Sequence, residues 1–305
     1  MTAQIVVVGS LNMDVVCHVA RAPEAGETVL GDDAGFVAGG KGANQAVAAA
    51  RLGGHVRMVG RVGADSFGER MRDGLLREGI DVTQVGTEAV SSGIALILVE
   101  AGGQNRITVA PGANARLTPA HVAMAASLWP RDGLLLLQLE TPLDTVAAAI
   151  EHARQAGLKV ILNPAPAQPL PPTWWNRIDV LVPNETEAAL LTGIPLNGEA
   201  GARIAARELR RRGVRCVLVT LGERGVLLVD EAGERMIAAP RVDAIDTTAA
   251  GDTFTGALAV ALGEGLKLDD AARFAVRAAA LSVTRKGAQT SIPYRTELAV
   301  SSNAE

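Results

Sequence analysis

The chain has 305 residues, enough for two average domains or for one large α/β domain with a smaller inserted unit. With 29 basic and 33 acidic residues its net charge is −4, which excludes a bulk electrostatic attraction to nucleic acids or acidic membranes. Four Phe, three Trp and one Tyr are too few for base-stacking platforms, and two Cys cannot staple a disulfide scaffold.

The start of the chain, MTAQIVVVGSLNMD, has neither the basic stretch nor the cleavage site of a secretory signal. No apolar run reaches the roughly 18 residues that a membrane-spanning helix needs. The scarcity of cysteine suits a reducing compartment. We therefore expect a cytoplasmic protein without a membrane or nucleic-acid partner.

Short apolar runs alternate with helical patterns along most of the chain. Runs without polar alternation predict buried strands at 5–8, 134–137, 160–162, 180–182 and 217–219. Apolar spacing of 3.6 residues predicts helices at 46–52, 66–78, 143–155, 185–191 and 199–212. This alternation predicts an α/β fold with a doubly wound, mostly parallel sheet flanked by helices.

Two segments, 13–40 and 92–110, interrupt this rhythm with strand-like stretches, turns at Gly26, Gly31 and Gly102-Gly103, and no helical pattern. They predict a small antiparallel sheet standing off the main domain, which would serve as a lid over a site, as a dimer surface, or as both. The predicted organisation is an α/β domain of residues 1–12, 41–91 and 111–298, a lid of 13–40 and 92–110, and a tail of 299–305.

Ligands of an open α/β sheet bind beyond the carboxyl ends of its strands, so the polar residues that follow the apolar runs are the site candidates. The first are Asn12 and Asp14, after the strand predicted at 5–8. An amide and a carboxylate can hold neighbouring sugar hydroxyls by paired hydrogen bonds. A simple Asx-turn explains the same residues equally well.

The glycine-rich segment 39–44 (GGKGAN) opens the next predicted helix, which ends at Gly53. Gly35, Gly40 and Lys41 have P-loop spacing, but Gly42 stands where that motif needs Ser or Thr for magnesium. A P-loop NTPase is therefore disfavoured. The alternatives are a ligand-binding loop, which would explain Lys41 between glycines, and a flexible turn with Asn44 as the helix N-cap.

Glu140 follows the run 134–137 and precedes Thr141-Pro142. Proline at the first helical position is common, so Glu140 either binds a ligand or complements the dipole of the helix that follows.

Asn184 and Glu187 follow the strand predicted at 180–182, three residues apart. This spacing is typical of a capping box, with Asn184 as the N-cap. The functional alternative is contact with magnesium and phosphate, directly or through water.

Residues 246–254 (DTTAAGDTF) lead into a helix that is apolar on most sides. The small residues Ala249, Ala250 and Gly251 allow backbone N–H groups at a helix N-terminus to face an anion. Asp252 either caps this helix or accepts a proton from a hydroxyl that attacks a phosphoryl group. The combination favours phosphoryl transfer.

From 8–14 (VGSLNMD) to 284–289 (TRKGAQ), and most specifically in 39–44 together with 246–254, the chain resembles the ribokinase family of carbohydrate and nucleoside kinases. The resemblance implies an ATP-dependent kinase that phosphorylates the primary hydroxyl of D-ribose to give ribose 5-phosphate. It also implies Mg²⁺, an activating K⁺, and a homodimer held through the lid.

By position, the resemblance implies a role for each matching residue. The sugar would be held by Asn12, Asp14, Gly40, Lys41, Asn44 and Glu140, with Asp252 as the base and Ala249, Ala250 and Gly251 as the anion hole. The nucleotide would meet Asn184, Thr220, Gly222, Glu223, Gly225 and Gly251; Glu187 would influence magnesium; and Asp246, Thr248, Ser282, Arg285, Gly287 and Ser291 would bind the monovalent cation. Val276 stands where many relatives have Asn or His near the adenine, which leaves nucleotide selectivity open.

Three alternative functions remain: a kinase for another acceptor, an oxidoreductase, and a sugar-binding protein without catalysis. A kinase for deoxyribose, fructose or a nucleoside is the nearest, although Asp14 and Asn44 favour a free sugar with adjacent hydroxyls. A dinucleotide-dependent oxidoreductase is disfavoured because 9–14 (GSLNMD) lacks the glycine pattern G-x-G-x-x-G. A sugar-binding protein without catalysis would need neither Asp252 nor the small residues before it.

Overall fold

A computed structural model of the chain describes residues 2–102, 104–195 and 198–300. Of the predicted tail, 301–305 lie outside the described residues, as does Gly103 of the predicted turn. Within the described ranges no helix combines the length and the apolar character needed to cross a bilayer.

The elements alternate as predicted through most of the chain. The strands are β1 (Gln4–Val8), β2 (Asn12–Val19), β3 (Gly35–Gly39), β4 (His55–Gly63), β5 (Asp81–Glu88), β6 (Gly93–Glu100), β7 (Asn105–Ala110), β8 (Leu134–Leu137), β9 (Lys159–Leu162), β10 (Val180–Leu181), β11 (Cys216–Thr220), β12 (Val226–Asp230) and β13 (Gly233–Ile237). The helices are α1 (Lys41–Arg51), α2 (Ser66–Arg77), α3 (Pro119–Ala126), α4 (Leu143–Ala156), α5 (Glu185–Thr192), α6 (Gly198–Arg211), α7 (Ala250–Gly263), α8 (Leu268–Ser282) and α9 (Arg295–Val300).

The main sheet confirms the doubly wound prediction. Its strand order is β13-β12-β11-β10-β9-β8-β1-β4-β5, and the pairings from β11 to β5 are parallel. Strands β12 and β13 add an antiparallel edge. The order reverses direction between β1 and β8, and such a switch point is where ligands bind in this class of fold.

The central strands are apolar on both faces because helices cover both. Val7 and Leu136 pack into the core cluster on the side of α1 and α7, whereas Val6 and Leu135 pack into the cluster on the side of α4. All four side chains are fully buried. This two-sided burial is the reason that the runs lack polar alternation.

The segments predicted to form the lid make a second sheet of order β3-β2-β6-β7. The pairs β2–β3 and β6–β7 are antiparallel hairpins, and the central pair β2–β6 is parallel. The centre is parallel because each segment first leaves the main domain and then returns, and the two outgoing strands lie side by side.

Candidate active site

The site is built where α1 and α7 approach each other below the switch point. Gly256, one turn after Asp252, makes this approach possible. A Cβ there would lie 2.6 Å from the Cβ of Ala48 and 2.8 Å from the carbonyl oxygen of Gln45, both on α1. The backbones of the two helices are therefore close enough for polar side chains at the start of α1 to reach the start of α7.

Asp252 is buried and its two carboxylate oxygens accept hydrogen bonds from consecutive residues of α1. Asn44 donates its Nδ2 to Oδ2 at 3.0 Å, and Gln45 donates its Nε2 to Oδ1 at 3.0 Å. The N-cap position of α7 is occupied by Ala249. The interpretation of Asp252 as a helix cap is therefore wrong, because its carboxylate is directed to α1.

The first turn of α7 is shaped to present backbone N–H groups. Ala249 has the left-handed φ of 59°, which is uncommon for a residue with a side chain. The N–H of Ala250 donates to the carbonyl of Thr247 at 3.3 Å. The following amides, of Gly251 and Asp252, belong to the first turn, where a helix provides no intrahelical acceptor. A Cβ on Gly251 would meet only open space, so an anion can approach this turn.

Glu140 joins the ends of β1 and β8 to the start of α1. Its Oε2 accepts hydrogen bonds from the hydroxyl of Ser10 at 2.6 Å, the amide of Asn12 at 3.4 Å and the backbone N–H of Lys41 at 3.2 Å. Glu140 thus complements the positive end of α1 and not that of the helix that follows it in sequence. That helix, α4, has Pro142 at its N-cap rather than at its first helical position.

Asn12 and Asp14 lie on β2, so the alternative that they form an Asx-turn is wrong. The Asp14 carboxylate packs directly against Gly39 of β3, where a Cβ would be 2.3 Å from its Oδ2. Burial, together with the negative charges of Glu140 and Asp252, raises the pKa of Asp14 from 3.8 to about 7, against the opposing effect of Lys41.

Gly40 is the N-cap of α1, with a φ of 89° and no room for a side chain, since a Cβ would lie 2.6 Å from the backbone nitrogen of Asn12. Asn44 is one turn inside the helix, so its interpretation as the N-cap is wrong. Lys41 begins the helix. Burial lowers the pKa of Lys41, but the carboxylates of Asp252, Glu140, Glu187 and Asp14 raise it above its usual value overall.

The capping box at Asn184 and Glu187 is confirmed. The Asn184 side chain accepts the N–H of Glu187, and the Glu187 carboxylate accepts the N–H of Asn184, each at 2.8 Å. Both residues also line a cavity of about 210 Å³, the small cavity, together with Lys41 and Asp252. Burial and the charge of Asp252 raise the pKa of Glu187, while the Asn184 N–H and Lys41 oppose the shift.

A larger cavity of about 940 Å³ also borders the first turn of α7, and we call it the large cavity. Its walls include the predicted nucleotide residues Thr220, Gly222, Glu223 and Gly225, and also Phe254, Val276 and Val283. The two cavities share Thr220, Thr247, Ala250 and Gly251. Both cavities therefore border the first turn of α7, where the small one also holds Lys41 and Asp252.

Three of the residues predicted to bind a monovalent cation lie together. Asp246 accepts the N–H of Thr248 at 2.9 Å and its hydroxyl at 2.6 Å through Oδ1, and the N–H of Gly287 at 2.8 Å through Oδ2. Burial alone would raise the pKa of Asp246, but these hydrogen bonds lower it below its usual value.

The hydroxyls of the predicted cation ligands Ser282 and Ser291 are fully buried. Each donates its hydrogen to the backbone carbonyl three residues earlier, at 2.8 Å. Its oxygen lone pairs are thereby left for an acceptor role. The Arg285 guanidinium is paired with Glu297 at 2.6 Å, so only the backbone of Arg285 fits the predicted set.

Five polar residues of the site were not predicted: Ser10, Gln45, Asn114, Gln138 and Asn163. Gln138 donates to Gln45 at 2.6 Å, and Gln45 donates to Asn163 at 3.1 Å as well as to Asp252. Ser10, Gln138 and Asn163 come just after predicted strands, so the rule used for the other candidates could have found them. Asn114, which holds Asn12 at 2.8 Å, reaches the site through the return of the lid and has no such signal.

Comparison with known proteins agrees with this geometry. The model of the pfkB family of carbohydrate kinases matches residues 2–295. A ribokinase of Haemophilus influenzae is 44% identical over 298 residues, which cover 97% of each chain. A deoxyribokinase of Salmonella typhi is 40% identical over 291 residues, 95% of each chain.

Comparison of the fold with solved structures also finds ribokinases. The solved structure of the Arabidopsis thaliana ribokinase complexed with ribose and ATP has a TM-score of 0.88, 34% sequence identity, and coverage of 98% of both chains. The match extends over the lid as well as the main sheet. The chain belongs to the pfkB family of carbohydrate kinases.

Proposed function

We propose that this enzyme transfers the γ-phosphoryl group of ATP to the primary hydroxyl of D-ribose, giving ribose 5-phosphate and ADP. The observation that carries the proposal is the meeting of the two cavities at the first turn of α7, with Asp252 buried at that turn. The curated ribokinase at 44% identity supports ribose as the acceptor.

Sugar binding would use the polar groups gathered at the start of α1 and β2. Asp14 and Glu140 accept hydroxyl hydrogens, and Asn12 and Lys41 donate to sugar oxygens. Gly40 lets the start of α1 lie against the backbone of Asn12, so that both can reach the same sugar. The Oδ1 atom of Asn44 is buried without a hydrogen-bond partner among the described residues, while its Nδ2 is held by Asp252. A sugar hydroxyl would satisfy this oxygen.

In the reaction, Asp252 accepts the proton of the attacking hydroxyl as the new O–P bond forms and the bond from the γ-phosphorus to the ADP oxygen breaks. The first turn of α7, from Ala249 through Ala250 and Gly251, faces the charge on the moving phosphoryl group. Lys41 lines the same small cavity and adds positive charge. The nucleotide occupies the large cavity, along Thr220, Gly222, Glu223 and Gly225, with Asn184 towards its phosphates.

Magnesium fits the donor set of the small cavity, because Glu187 and Asn184 bring carboxylate and amide oxygens to its wall. We propose Glu187 as the residue that holds it, directly or through water. When bound, the ion neutralises charge on the ATP phosphates.

We propose that potassium binds to oxygen atoms of Asp246, Thr248, Ser282, Gly287 and Ser291 and of the Arg285 backbone, of which Asp246, Thr248 and Gly287 are joined by hydrogen bonds. A bound cation would brace the loop that leads into the first turn of α7. The test is a rate comparison in potassium and sodium buffers of equal ionic strength. Higher kcat in potassium is expected, and equal rates would reject a selective site.

A homodimer through the lid is proposed from the register of that sheet. Asp14 pairs across Ala95 with Val109, and Val16 pairs across Ile97 with Ile107, so these rows share one face. Val109 is 43% exposed and Ile107 58% exposed, an apolar surface continuous with the Asp14 row. Light scattering should give a dimer mass for the wild type and a monomer mass for Ile107→Glu.

The free thiols Cys17 and Cys216 fit a reducing compartment, and we propose the cytoplasm.

The decisive test of function is ADP release with a panel of D-ribose, 2-deoxyribose, fructose and adenosine. We expect the highest kcat/KM for ribose. Because a deoxyribokinase is 40% identical, deoxyribose is the second candidate, and a higher kcat/KM for it would replace ribose as the acceptor.

A further inference from the structure

A row of buried amide side chains leads to the Asp252 carboxylate from the side of β8 and β9. Gln138, Gln45 and Asn163, the amide row, are 1%, 0% and 8% exposed. Buried amides are costly unless their hydrogen bonds are satisfied, so three in contact at one carboxylate require an explanation. None of them is among the residues assigned above to the sugar, the nucleotide or a metal ion.

The direction of every hydrogen bond in the amide row is fixed by a backbone group. Asn163 donates its Nδ2 to the carbonyl of Val182 at 2.9 Å, and a carbonyl can only accept. The Oδ1 of Asn163 must then face Gln45, which donates to it at 3.1 Å. The same Nε2 of Gln45 uses its second hydrogen on Oδ1 of Asp252 at 3.0 Å.

The other end of Gln45 is held as firmly. Its Oε1 accepts from Nε2 of Gln138 at 2.6 Å. Gln138 in turn packs against Gly9, where a Cβ would lie 2.1 Å from its Oε1. Gln45 is therefore hydrogen-bonded at both ends of its amide, by Asn163 and Asp252 at Nε2 and by Gln138 at Oε1, and it cannot flip without losing these bonds.

Such a clamp has a chemical use. The terminal torsion of an Asp carboxylate is broad, so a single hydrogen bond leaves the group free to swing. Asn44 holds Oδ2 and Gln45 holds Oδ1, and two donors on two oxygens fix the plane. Asn44 is also proposed above to bind the sugar, whereas Gln45 is fully buried and its side chain hydrogen-bonds to the carboxylate and to the amide row.

We propose that Gln45 is a positioning residue, which holds the Asp252 carboxylate in the plane needed to take the hydroxyl proton. The proposal rests on the proposed function, because it assigns Gln45 a role through the base of that reaction. It adds a determinant of turnover that contacts neither substrate.

The test is steady-state kinetics of Gln45→Met with D-ribose and ATP. We expect kcat to fall about 10- to 100-fold, part of the 10²- to 10⁴-fold that a general base supplies. The KM for ribose should stay within about threefold, since an interaction made only in the transition state lowers kcat alone. Unchanged kcat, or a raised KM at unchanged kcat, would overturn the proposal.

A second background separates positioning from general structural damage. Combined with Asp252→Asn, which removes the base, Gln45→Met should change the residual kcat less than about twofold, because coupled residues are not additive. An equal fold-loss in both backgrounds would assign Gln45 a structural role only. Thr145→Val on α4 is the matched control. It removes a buried hydroxyl that donates to the carbonyl of Leu117 at 2.6 Å, and kcat should not change.

Each variant is first checked by thermal unfolding. Should Gln45→Met fail to fold, Gln138→Leu frees the far end of Gln45 instead and should give a smaller loss of kcat, again absent in the Asp252→Asn background. Wild-type protein without sugar-dependent ADP release would overturn the proposed function and this proposal together. Active wild type with equally active Gln45→Met would overturn only the positioning role.

Discussion

The small and the large cavity share the first turn of α7, but the walls of the small one are mainly polar and those of the large one mainly apolar. Charged and amide groups line the small cavity, among them Lys41, Glu187, Asn184 and Asp252. The large cavity, about 4.5 times the volume, is lined mainly by apolar side chains such as Phe254 and by glycines, with Glu223, Arg224 and Arg241 as its charged residues.

The difference shows that hydrogen-bonded polar side chains surround the carboxylate proposed as the base, whereas the large cavity depends more on its shape. Around Asp252, Asn44 and Gln45 each donate to one carboxylate oxygen, and Gln45 is held by further hydrogen bonds to Asn163 and Gln138. Apolar side chains and glycines make up much of the large cavity, and apolar surfaces discriminate weakly between ligands of similar shape. We therefore expect substitutions beside the small cavity to affect turnover and substitutions in the large cavity to affect nucleotide choice.

The largest effect should come from Asp252→Asn. The amide keeps the size of the side chain but cannot accept the hydroxyl proton, so kcat should fall about 10²- to 10⁴-fold. Thermal unfolding and ribose titration by calorimetry should show a folded protein that still binds the sugar. Near-normal kcat would contradict the role of Asp252 as the base.

A second variant tests whether the small cavity depends on the close approach of α1 and α7. In Gly256→Ala the new methyl group meets Ala48 and the Gln45 carbonyl, and overpacking of this kind costs about 1–3 kcal/mol. Unfolding in urea should show the loss, and kcat should fall while the KM for ATP stays nearly constant.

The control for that variant is Gly74→Ala on α2, where the nearest side-chain atom to a new Cβ is 4.0 Å away. Alanine in an open helical position should stabilise by about 0.5–1 kcal/mol. If Gly256→Ala were as stable as this control, the helices would not be limited by contact at Gly256.

The pH dependence of ribose binding tests the buried charges more finely. With its pKa raised to about 7, Asp14 is ionised above neutral pH and protonated below. The KM for ribose should rise about tenfold from pH 8 to pH 6 as the acceptor is lost. Asp14→Asn should have a high KM at both values, and a KM of the wild type that does not depend on pH would exclude Asp14 from the sugar site.

The same shift has a consequence for stability, with the opposite sign to that of a salt-bridged carboxylate. Because the folded-state pKa is raised, the unfolded state binds fewer protons between about pH 4 and 7, so Asp14 lowers stability as pH rises through this window. Asp14→Asn should therefore raise the free energy of unfolding at pH 8 and leave it nearly unchanged below pH 4.

The smallest effect is expected at Val276 in the large cavity. Val276 is 5% exposed and lines that cavity, where Asn would add a donor and an acceptor. The ratio of kcat/KM for ATP and GTP should shift by less than about tenfold, which is at most one polar contact. A change in ribose KM instead would mean that the two cavities are not independent.

The sequence could predict the elements whose residue pattern is set by burial alone. Strands β1 and β8 are buried on both faces and read as apolar runs, and α4 and α6 follow helical spacing. Strand β4 was missed because His55, Arg57 and Arg61 interrupt its apolar residues, and Arg57 and Arg61 pair with Asp81 and Glu88 of β5. Tertiary ion pairs of this kind leave no local signal.

At the site, the sequence indicated the residues next to strand ends and glycine motifs, and it left their partners open. Nothing local could tell that Asp252 faces α1 rather than capping α7, since this follows from the packing of α1 against Gly256. Glu140 likewise complements α1, which is distant in sequence. The capping box was predictable because both its residues lie within one turn.

The most direct test of the central claim is a crystal structure of the complex with ADP, magnesium, aluminium fluoride and D-ribose. The planar aluminium fluoride, which mimics the moving phosphoryl group, should lie within hydrogen-bond distance of the Gly251 N–H. The primary hydroxyl of ribose should donate a hydrogen bond to Asp252. Aluminium fluoride bound away from the first turn of α7, or the primary hydroxyl of ribose facing a carboxylate other than Asp252, would contradict the account.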